Sequence, residues 1–400
     1  MQKYEINFVD SITEIGAEAW NQVTGTDNPF TRYEFLHALE ETGCTTAATG
    51  WAPHHVAVYS PAEPLSERAQ EKDEKARRTD KTLVAVMPLY LKTNSYGEYV
   101  FDWSWAHAYQ NHGYEYYPKF VSAIPFTPSV GNRLCVSEPA VRARISAVVR
   151  NKVIEKAEAI AASSWHILFP QQQEHDDFER LGISSRIASQ FHWYNKGYTS
   201  FDDFLNSLNS RKRKSIRKER QRVRDQGISF KITEGGKIAQ QQWQNFYSFY
   251  QSTYAMRGMQ GYLNQEFFQT LSITMPEQLF MISAMQDRRE IAAALFFKSS
   301  DKLFGRYWGS ARDEQFLHFE TCYYQGQGYC IEHGLSSFDS GAQGEHKIQR
   351  GFEPIITYSN HWLANQGFAA AIENFLQEER EHIKSYMLQA RALLPYKKES

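Results

Sequence analysis

The chain has 400 residues, which is too long for one ordinary hydrophobic core, so two domains are expected. Hydrophobic residues make up 42% of it and aromatic residues 14%, a composition that excludes general disorder. The formal net charge of -2 argues against a protein that binds nucleic acid over its whole surface, although one segment described below is strongly basic.

The cellular compartment is predicted from the cysteines and from the absence of targeting signals. The four cysteines form no CxxC pair and show no disulfide-framework spacing, which favours a reducing environment. Residues 1–5 lack the basic-then-apolar pattern of a signal peptide. No apolar run approaches the roughly 18 residues of a membrane span. We therefore expect a soluble, cytoplasmic protein.

The first half is predicted to mix helices and strands. Apolar spacing and β-branched or aromatic content indicate helices at residues 29–42 and 138–162, and strands at 55–60, 82–92, 98–105 and 165–169. Residues 61–81 are charged and short of large apolar side chains, so they are expected to form a flexible surface insertion.

The second half begins near Thr199, where Ser200 and Asp203 predict a helix N-cap. A basic helix is expected from Ser210 to Gly227, a residue typical of helix ends. Further along, the pattern predicts a strand at 228–233, a helix at 237–254, a meander of strands at 279–285, 290–298 and 303–310, a helix at 318–333 and a strand at 335–339.

The two halves contain similar segments. Residues 83–92 followed by 100–106 match residues 291–298 followed by 305–311, and in each copy hairpins precede a helix and one more strand. Two copies of one α+β unit are the simplest account, and chance similarity of two aromatic meanders is the alternative.

The segment between Phe338 and Phe352 combines three glycines, five ionisable side chains and two amides. Glycine lets the backbone approach a ligand closely or turn with positive φ. Ionisable side chains can hold charge or move protons. This mixture predicts the wall of an active site, with these candidates: Asp339, Gln343, Gly344, Glu345, His346, Lys347 and Arg350.

Several short runs carry a family resemblance: residues 116–119, 125–128, 308–309, 317–326, 341–352 and 361–362. With these runs the chain resembles the FemAB-like predicted N-acyltransferases, and more distantly it is similar to the Fem-type aminoacyltransferases of cell-wall synthesis. The resemblance implies an α+β fold of two tandem GNAT-like (acyl-CoA N-acyltransferase) domains with mixed, mostly antiparallel sheets. It implies domains at 1–195 and 196–360, a helical extension at 361–400 that packs back on them, and a site in the cleft between the domains.

The resemblance also implies transfer of an acyl or aminoacyl group to an amine. Gln349 stands where the Fem-type enzymes have a catalytic lysine, so either Lys347 takes over or the chemistry differs from transfer from tRNA. The ordinary GNAT pyrophosphate loop has no clean match, so the sequence does not show use of acyl-CoA. The expected partners are an activated donor, either a CoA thioester or an aminoacyl-tRNA, and an amine acceptor. No bound cofactor is expected; acyl-CoA is the expected co-substrate.

Acyl transfer requires a group that takes the proton of the amine, and Glu320, Asp339, Glu345 and His346 are the candidates. For Glu320 a buried ion pair with an arginine such as Arg306 is an equal alternative. For Asp339 the alternative is an Asx-turn that caps the loop.

Cationic and aromatic side chains complete the predicted second-half site. Lys347 and Arg350 can neutralise a phosphate or an oxyanion. Trp308 and Tyr324 are candidate substrate-binding residues, and Tyr324 is also a candidate proton donor to the leaving group. Simple packing of the tyrosine is the alternative.

The basic helix spans residues 211–224 and contains one acidic residue, Glu219. Like charges four residues apart on a helix repel, so this density is unfavourable unless a polyanion offsets it. We expect Arg211, Arg213, Lys214 and Arg217 to bind phosphates of a nucleic acid, a diphosphate-bearing precursor or CoA. A solvated helix face is the alternative.

In the first half, Asp102, Trp103, His107 and Tyr117 belong to a polar-aromatic belt that suits carbohydrate or peptide recognition. A core at the edge of the repeat is an equal alternative. The histidines lack companion ligands at metal spacing, so no metal site is predicted. The absence of a GxSxG elbow, a Walker loop and a strand-linked GxGxxG argues against hydrolases, kinases and dehydrogenases.

The sequence therefore predicts an N-acyltransferase whose amine acceptor is a cell-wall precursor, a peptide or a small molecule. The competing prediction is a non-catalytic module that binds tRNA or a diphosphate through the basic helix, because a fold alone does not establish a function.

Overall fold

The computed structural model describes residues 4–60, 81–256, 258–342 and 344–397. Most of the expected insertion, residues 61–80, and the predicted site residue Gln343 lie outside the described residues. Within the described part of the chain, no helix is both long enough and apolar enough to cross a membrane.

The first half alternates short strands with helices. In chain order it contains β1 (Glu5–Val9), α1 (Ala17–Thr24), α2 (Tyr33–Glu41), β2 (Trp51–Pro53), β3 (His55–Tyr59), β4 (Leu83–Met87), β5 (Tyr90–Lys92), α3 (Trp103–Asn111), β6 (Lys119–Ser122), β7 (Cys135–Val136), α4 (Arg142–Ala159), β8 (Ser164–Leu168), α5 (Gln172–Arg180) and β9 (Ser184–Tyr194).

The second half has longer strands. It contains α6 (Phe201–Ser207), α7 (Ser210–Asp225), β10 (Ser229–Glu234), α8 (Gln240–Ala255), α9 (Gln265–Thr274), β11 (Leu279–Gln286), β12 (Arg289–Lys298), β13 (Lys302–Ser310), α10 (Leu317–Phe319), α11 (Gln325–Glu332), β14 (Ser337–Asp339), β15 (Glu353–Leu363) and α12 (Gln366–Ala392). A π-helical turn, Glu320–Tyr324, joins α10 to α11, and a 3-10 turn, Glu345–Arg350, precedes β15. The helix and strand predictions for this half are confirmed to within a few residues.

The strands form two sheets. β1, β3, β4 and β7 make a four-stranded antiparallel sheet in that order. The larger sheet has eleven strands in the order β10-β11-β12-β13-β14-β9-β15-β8-β6-β5-β2, so it runs through both halves. Among the described strands, the parallel neighbours are β13 with β14 and β6 with β8. The sheets are therefore mixed and mostly antiparallel, as expected.

The two halves exchange their last strands. β9 of the first half pairs antiparallel with β14 of the second, with Trp193 opposite Phe338. β15 of the second half pairs antiparallel with β8 of the first, with His361 opposite His166. β9 and β15 also pair with each other. Each half is thus completed by a strand from the other, and the larger sheet continues without a break between them.

The predicted repeat needs one correction, because the strand expected at residues 98–105 is wrong. Residues 98–102 form no strand, and α3 begins at Trp103. Trp105 and Tyr109 lie four residues apart and are both buried, so these aromatic side chains form the inner face of a helix. β6 pairs with β5 in the position that β13 takes beside β12.

Packing between the halves fixes the relative position of their parts. The ring of Phe30 lies 5.0 Å from that of Phe304 in β13 and 5.3 Å from that of Phe297 in β12. α12 packs back on the exchanged strands, where Arg186 of β9 donates two hydrogen bonds of 2.7 Å to Glu379. The domain limits at 195–196 and 360–361 stay predictions, because the shared sheet crosses both.

Candidate active site

A fork between β13 and β14 forms the base of the candidate site. The two strands pair in parallel from Lys302 to Phe304 and from Ser337 to Asp339. Beyond this short pairing β13 continues beside β12, whereas the chain after Asp339 enters the glycine-containing loop 340–351. The opening therefore lies where the parallel pairing ends, at the carboxyl end of β14. Ligands commonly bind at the carboxyl ends of strands in folds with parallel sheets.

Arg306 and Asp339 form a buried ion pair at the fork. The guanidinium donates hydrogen bonds of 2.6 and 3.1 Å to the two carboxylate oxygens, and both side chains are 1% exposed. Burial alone would raise the pKa of Asp339, but the charge of Arg306 outweighs it and holds that pKa well below its usual range. The Gly341 N–H also donates to this carboxylate at 2.9 Å. Asp339 is therefore a fixed anion that positions Arg306, and this geometry does not favour it as a proton acceptor.

Lys347 is buried beneath the loop that follows β14. Its ammonium donates hydrogen bonds to the carbonyl oxygens of Ser340 at 3.1 Å and Gly341 at 2.7 Å. Burial lowers the pKa of Lys347 to about 8, with Asp339 opposing this shift and Arg306 adding to it. A minor fraction of the side chain, about one tenth to one fifth, is therefore neutral near physiological pH, and this fraction can accept a proton there.

The other ionisable residues of the loop point in different directions. Glu345 is exposed and accepts a hydrogen bond of 2.9 Å from Tyr386 of α12. His346 is exposed and lies 2.9 Å from the hydroxyl of Tyr323; partial desolvation of its ring together with the nearby cations Arg350 and Lys347 lowers the pKa of His346 to about 4. The imidazole is therefore neutral at pH 7. Gly344, two residues before His346, has φ of 118°, a backbone conformation that favours glycine.

Arg350 connects the loop to the basic helix α7. Its guanidinium lies over the ring of Phe319, 3.5 Å from the ring centroid, and donates a hydrogen bond of 2.9 Å to Glu219. The hydroxyl of Tyr324 binds the same carboxylate. The acidic residue of the basic run therefore faces the protein and fixes α7 against the π-helical turn, and both Arg350 and Tyr324 are used in that contact.

Glu320 also belongs to this contact. It is 3% exposed. Both of its carboxylate oxygens accept a hydrogen bond of 3.1 Å from the Nε of Arg220, and one of them accepts another of 2.8 Å from the side-chain amide of Gln325. The ion pair that was the alternative to catalysis is thus present, although its arginine is Arg220 and not Arg306. These contacts occupy both carboxylate oxygens and tie Glu320 to α7, so the geometry does not favour a role as base.

The outer face of α7 carries the remaining cations. Arg211, Lys214 and Arg217 are exposed and Arg213 is partly buried, whereas Ile216 and other apolar side chains face the core. Arg217 pairs with Asp202 at 3.0 Å, both being exposed. The structure therefore places these predicted phosphate-binding residues on a surface outside the fork.

A cavity of about 480 Å³ opens at the fork and lies between the two halves. Residues 95–103 supply its first-half wall: Ser95, Tyr96, Gly97, Tyr99, Phe101 and Trp103. The second half supplies side chains from α8, the segment after it, β13 and the loop: Tyr250, Thr253, Tyr254, Met259, Tyr262, Arg306, Tyr307, Trp308 and Ala342. The predicted residues Trp103 and Trp308 therefore line the same cavity from different halves of the chain. The site was expected in a cleft between the two domains.

A match to the FemAB-like family, described as peptidoglycan biosynthesis/recognition, spans residues 11–398. The chain belongs to this family. The predicted resemblance is confirmed, and the predicted α+β fold class with mixed, mostly antiparallel sheets is the one that the structure shows. A search of curated proteins finds no match.

Solved structures similar to this FemAB-like protein share its fold at low sequence identity. The crystal structure of FemX is 11% identical with a TM-score of 0.51, and the alignment covers 93% of this chain and 100% of FemX. The C-terminal DUF2156 domain of an Agrobacterium fabrum protein assigned as a lysylphosphatidylglycerol synthetase is 9% identical with a TM-score of 0.50, covering 92% of this chain and 97% of that domain.

In the first half of this FemAB-like protein, the predicted residue Asp102 is buried in a cluster of charges. It accepts a hydrogen bond of 2.6 Å from Tyr116 and is ion-paired with Lys119. Burial opposes ionisation, but Lys119 and its other partners lower the pKa of Asp102 to about 2. Lys119 also donates a hydrogen bond of 2.8 Å to Ser95, a residue that lines the cavity.

Two other first-half candidates differ in their relation to the cavity. The hydroxyl of Tyr117 lies 2.8 Å from that of Ser95, so it supports the cavity wall from behind. His107 is exposed on α3 and is not among the residues that line the cavity. The structure therefore brings Tyr117 near the site and leaves His107 outside it.

Sequence reasoning missed several residues of the site in the FemAB-like chain. Arg306 was considered only as a partner for Glu320, although a charged residue inside the strand predicted at 303–310 was a usable signal. Tyr250 and Tyr254 belong to the helix predicted at 237–254, but their location in the cavity depends on how α8 packs on β13. Lys119 gave no local signal, because its partners Glu98 and Asp102 lie about twenty residues away and its burial depends on the fold.

Proposed function

We propose that this FemAB-like protein is an N-acyltransferase that moves an acyl or aminoacyl group from an activated donor to an amine acceptor. The observation that carries the proposal is the cavity at the fork, which is bordered by the loop that buries Lys347. Ala342 lines the cavity and directly follows Gly341, whose carbonyl binds the lysine. Lys347 is thus one residue contact away from the wall, through the Gly341 carbonyl, and is not itself among the described residues that line the cavity.

The reaction needs one new bond and one broken bond. The amine nitrogen attacks the carbonyl carbon of the donor, and the bond from that carbon to the donor's sulfur or oxygen breaks. Neutral Lys347 takes the proton that the amine loses, and the resulting ammonium supplies a proton to the leaving thiolate or alkoxide. Asp339 remains ionised throughout and holds Arg306 at the fork.

The donor and acceptor are proposed from the family and from the charges of α7. The family description supports an acceptor amine on a peptidoglycan precursor. Acyl-CoA and aminoacyl-tRNA both carry phosphates, and the exposed cations Arg211 and Lys214 can bind them. We propose acyl-CoA as the co-substrate, with aminoacyl-tRNA as the alternative donor; Gln349 does not decide between them, because Lys347 supplies the proton transfer in either case.

The proposal is tested by incubating the purified protein with a peptidoglycan stem peptide that has a free side-chain amine. Acyl-CoA thioesters and a charged tRNA pool are supplied in separate reactions. The expected result is a peptide whose mass rises by the acyl group, with stoichiometric release of CoA thiol or uncharged tRNA. No acylated product with either donor, over a range of stem peptides, would argue against an acyltransferase.

A second function is favoured by one observation, which is that the exposed cations of α7 lie outside the cavity. A non-catalytic module could bind tRNA or a diphosphate there. Replacing Arg211 and Lys214 by Glu should then abolish all function, whereas replacing Lys347 by Met should change nothing. An enzyme should fail with the lysine variant. Lys231→Glu, an exposed site on β10, is the matched control for the charge reversals.

A further inference from the structure

The wall of the cavity is mainly aromatic and carries little charge. Rings from both halves face it, including Tyr99, Trp103, Tyr254 and Trp308. Among the described residues that line it, none is acidic. A ligand with a free ammonium group would find no carboxylate on these walls, whereas an apolar group would gain from leaving water.

Arg306 supplies one polar group at this wall. Its two terminal nitrogens are occupied by Asp339 and by backbone carbonyls, and its charge is balanced by that carboxylate. Its Nε is buried and has no hydrogen-bond partner within the described residues. Leaving a buried donor unpaired is unfavourable, so this N–H is suited to a neutral acceptor such as a carbonyl oxygen.

The mouth of the cavity is apolar and exposed. Phe101 is 56% exposed, Trp103 43% and Met259 39%, and these side chains come from opposite halves. Exposed apolar side chains that gather around a cavity commonly mark a ligand-binding groove. An acetyl group would occupy only a small part of the 480 Å³ and would leave this rim uncovered.

We propose that the cavity binds a bulky, uncharged, apolar acyl group, with its carbonyl oxygen at the Arg306 N–H and its chain along Trp103 and Trp308. This inference rests on the proposed function and names the class of group that is transferred. The amine attacks the thioester carbonyl, the C–S bond breaks, and CoA leaves as the thiol after taking a proton from Lys347. Each added methylene should strengthen binding by about fourfold until the cavity is filled.

The test compares the affinities of acetyl-, butanoyl-, hexanoyl- and octanoyl-CoA for the full-length protein, measured by calorimetric titration with free CoA as the reference. We expect octanoyl-CoA to bind at least about 100-fold more tightly than acetyl-CoA. Trp308→Ala should remove most of this difference and leave the affinity for free CoA unchanged. Phe375→Ala, an exposed aromatic residue on α12, is the matched control and should keep the preference.

A second variant protects the test against misfolding of the first. Ala342→Leu adds bulk at the cavity wall, so it should weaken octanoyl-CoA while acetyl-CoA still binds. Equal affinities along the series, or tighter binding of phenylalanyl-tRNA than of any thioester, would overturn the inference.

Product formation in the stem-peptide reaction distinguishes a failure of this inference from a failure of the proposed function. Transfer of acetyl as fast as octanoyl would overturn the inference and leave the acyltransferase proposal intact. A chain-length preference in binding without any transfer would support the apolar acyl site and count against catalysis.

Discussion

Buried ion pairs determine which residues of the site remain charged and which can titrate. Asp339 is ionised because Arg306 binds both of its oxygens, and Glu320 is paired with Arg220 in the same way. Lys347 has no carboxylate within hydrogen-bond distance among its described contacts and binds only carbonyl oxygens. The lysine is therefore the residue of the loop whose protonation changes near neutral pH.

Lys347→Met should lower kcat by about 100-fold or more, because it removes the proposed proton acceptor. In the wild type, kcat should rise about tenfold per pH unit below pH 8 and level off above it, since only the neutral amine accepts a proton. A pH–rate profile measures both effects, with Lys231→Met as the control. A wild-type profile that is flat between pH 6.5 and 8.5 would remove Lys347 from the mechanism.

Asp339→Asn should destabilise the protein by about 3–5 kcal/mol, because it leaves the buried guanidinium of Arg306 without its counter-ion. Urea unfolding measures the change in the free energy of unfolding. Glu345→Gln alters an exposed carboxylate six residues further along the chain, and its effect should stay within about 0.5 kcal/mol. Equal stability of the two variants would show that the ion pair contributes nothing to the fold.

At the scale of elements, two histidines join the exchanged strand β15 to β8. The Nδ1 atoms of His166 and His361 are 2.7 Å apart. One Nδ1 therefore carries a hydrogen and donates it to the other, and the two Nδ1 atoms cannot both carry a hydrogen. Burial lowers the pKa of His166 to about 3 and that of His361 well below its usual value. Both side chains are neutral in the folded protein near neutral pH.

The stability of the protein should therefore fall as the pH falls below about 6.5. In that range the histidines of the unfolded chain bind protons and those of the folded chain do not, so acid favours unfolding by about 1.4 kcal/mol per pH unit for each residue. Above pH 6.5 this contribution is constant. His361→Asn should reduce the slope of unfolding free energy against pH between 6 and 5. An unchanged slope in this variant would contradict the assignment of a neutral pair.

At the scale of the whole molecule, the exchange of β9 and β15 makes each half depend on the other. Without β15, one edge of β8 would have no strand to pair with. Without β9, one edge of β14 would likewise have no strand to pair with. The site depends on the same arrangement, because its cavity has walls from both halves.

Residues 1–195 and 196–400 expressed separately should therefore fail to fold cooperatively, whereas their co-expression should restore a soluble complex. Circular dichroism during thermal unfolding provides the measurement, and the intact chain should show one transition. A cooperative transition in either isolated half would show that the exchanged strand is not needed for its fold.

The local part of the structure could be predicted from the sequence. Ser200 caps α6 by accepting the Asp203 N–H, and α7 ends just before Gly227. The meander of β11 to β13 lies where it was predicted. The loop after β14 was found because glycines and ionisable residues are adjacent in the chain. These features depend on residues a few positions apart, so their signal is present in a single sequence.

The partners of the buried charges and the composition of the cavity were decided only by the tertiary structure. Arg306 binds Asp339 and Arg220 binds Glu320, although local sequence allowed either arginine to pair with the glutamate. Trp103 and Trp105 begin a helix instead of a strand, and Trp105 is buried on the inner face of that helix. The sequence by itself determined most of the helices and strands, the family and the position of the loop. Long-range packing and the exchange of two strands determined which side chains meet, because contact energies between distant residues leave no local pattern.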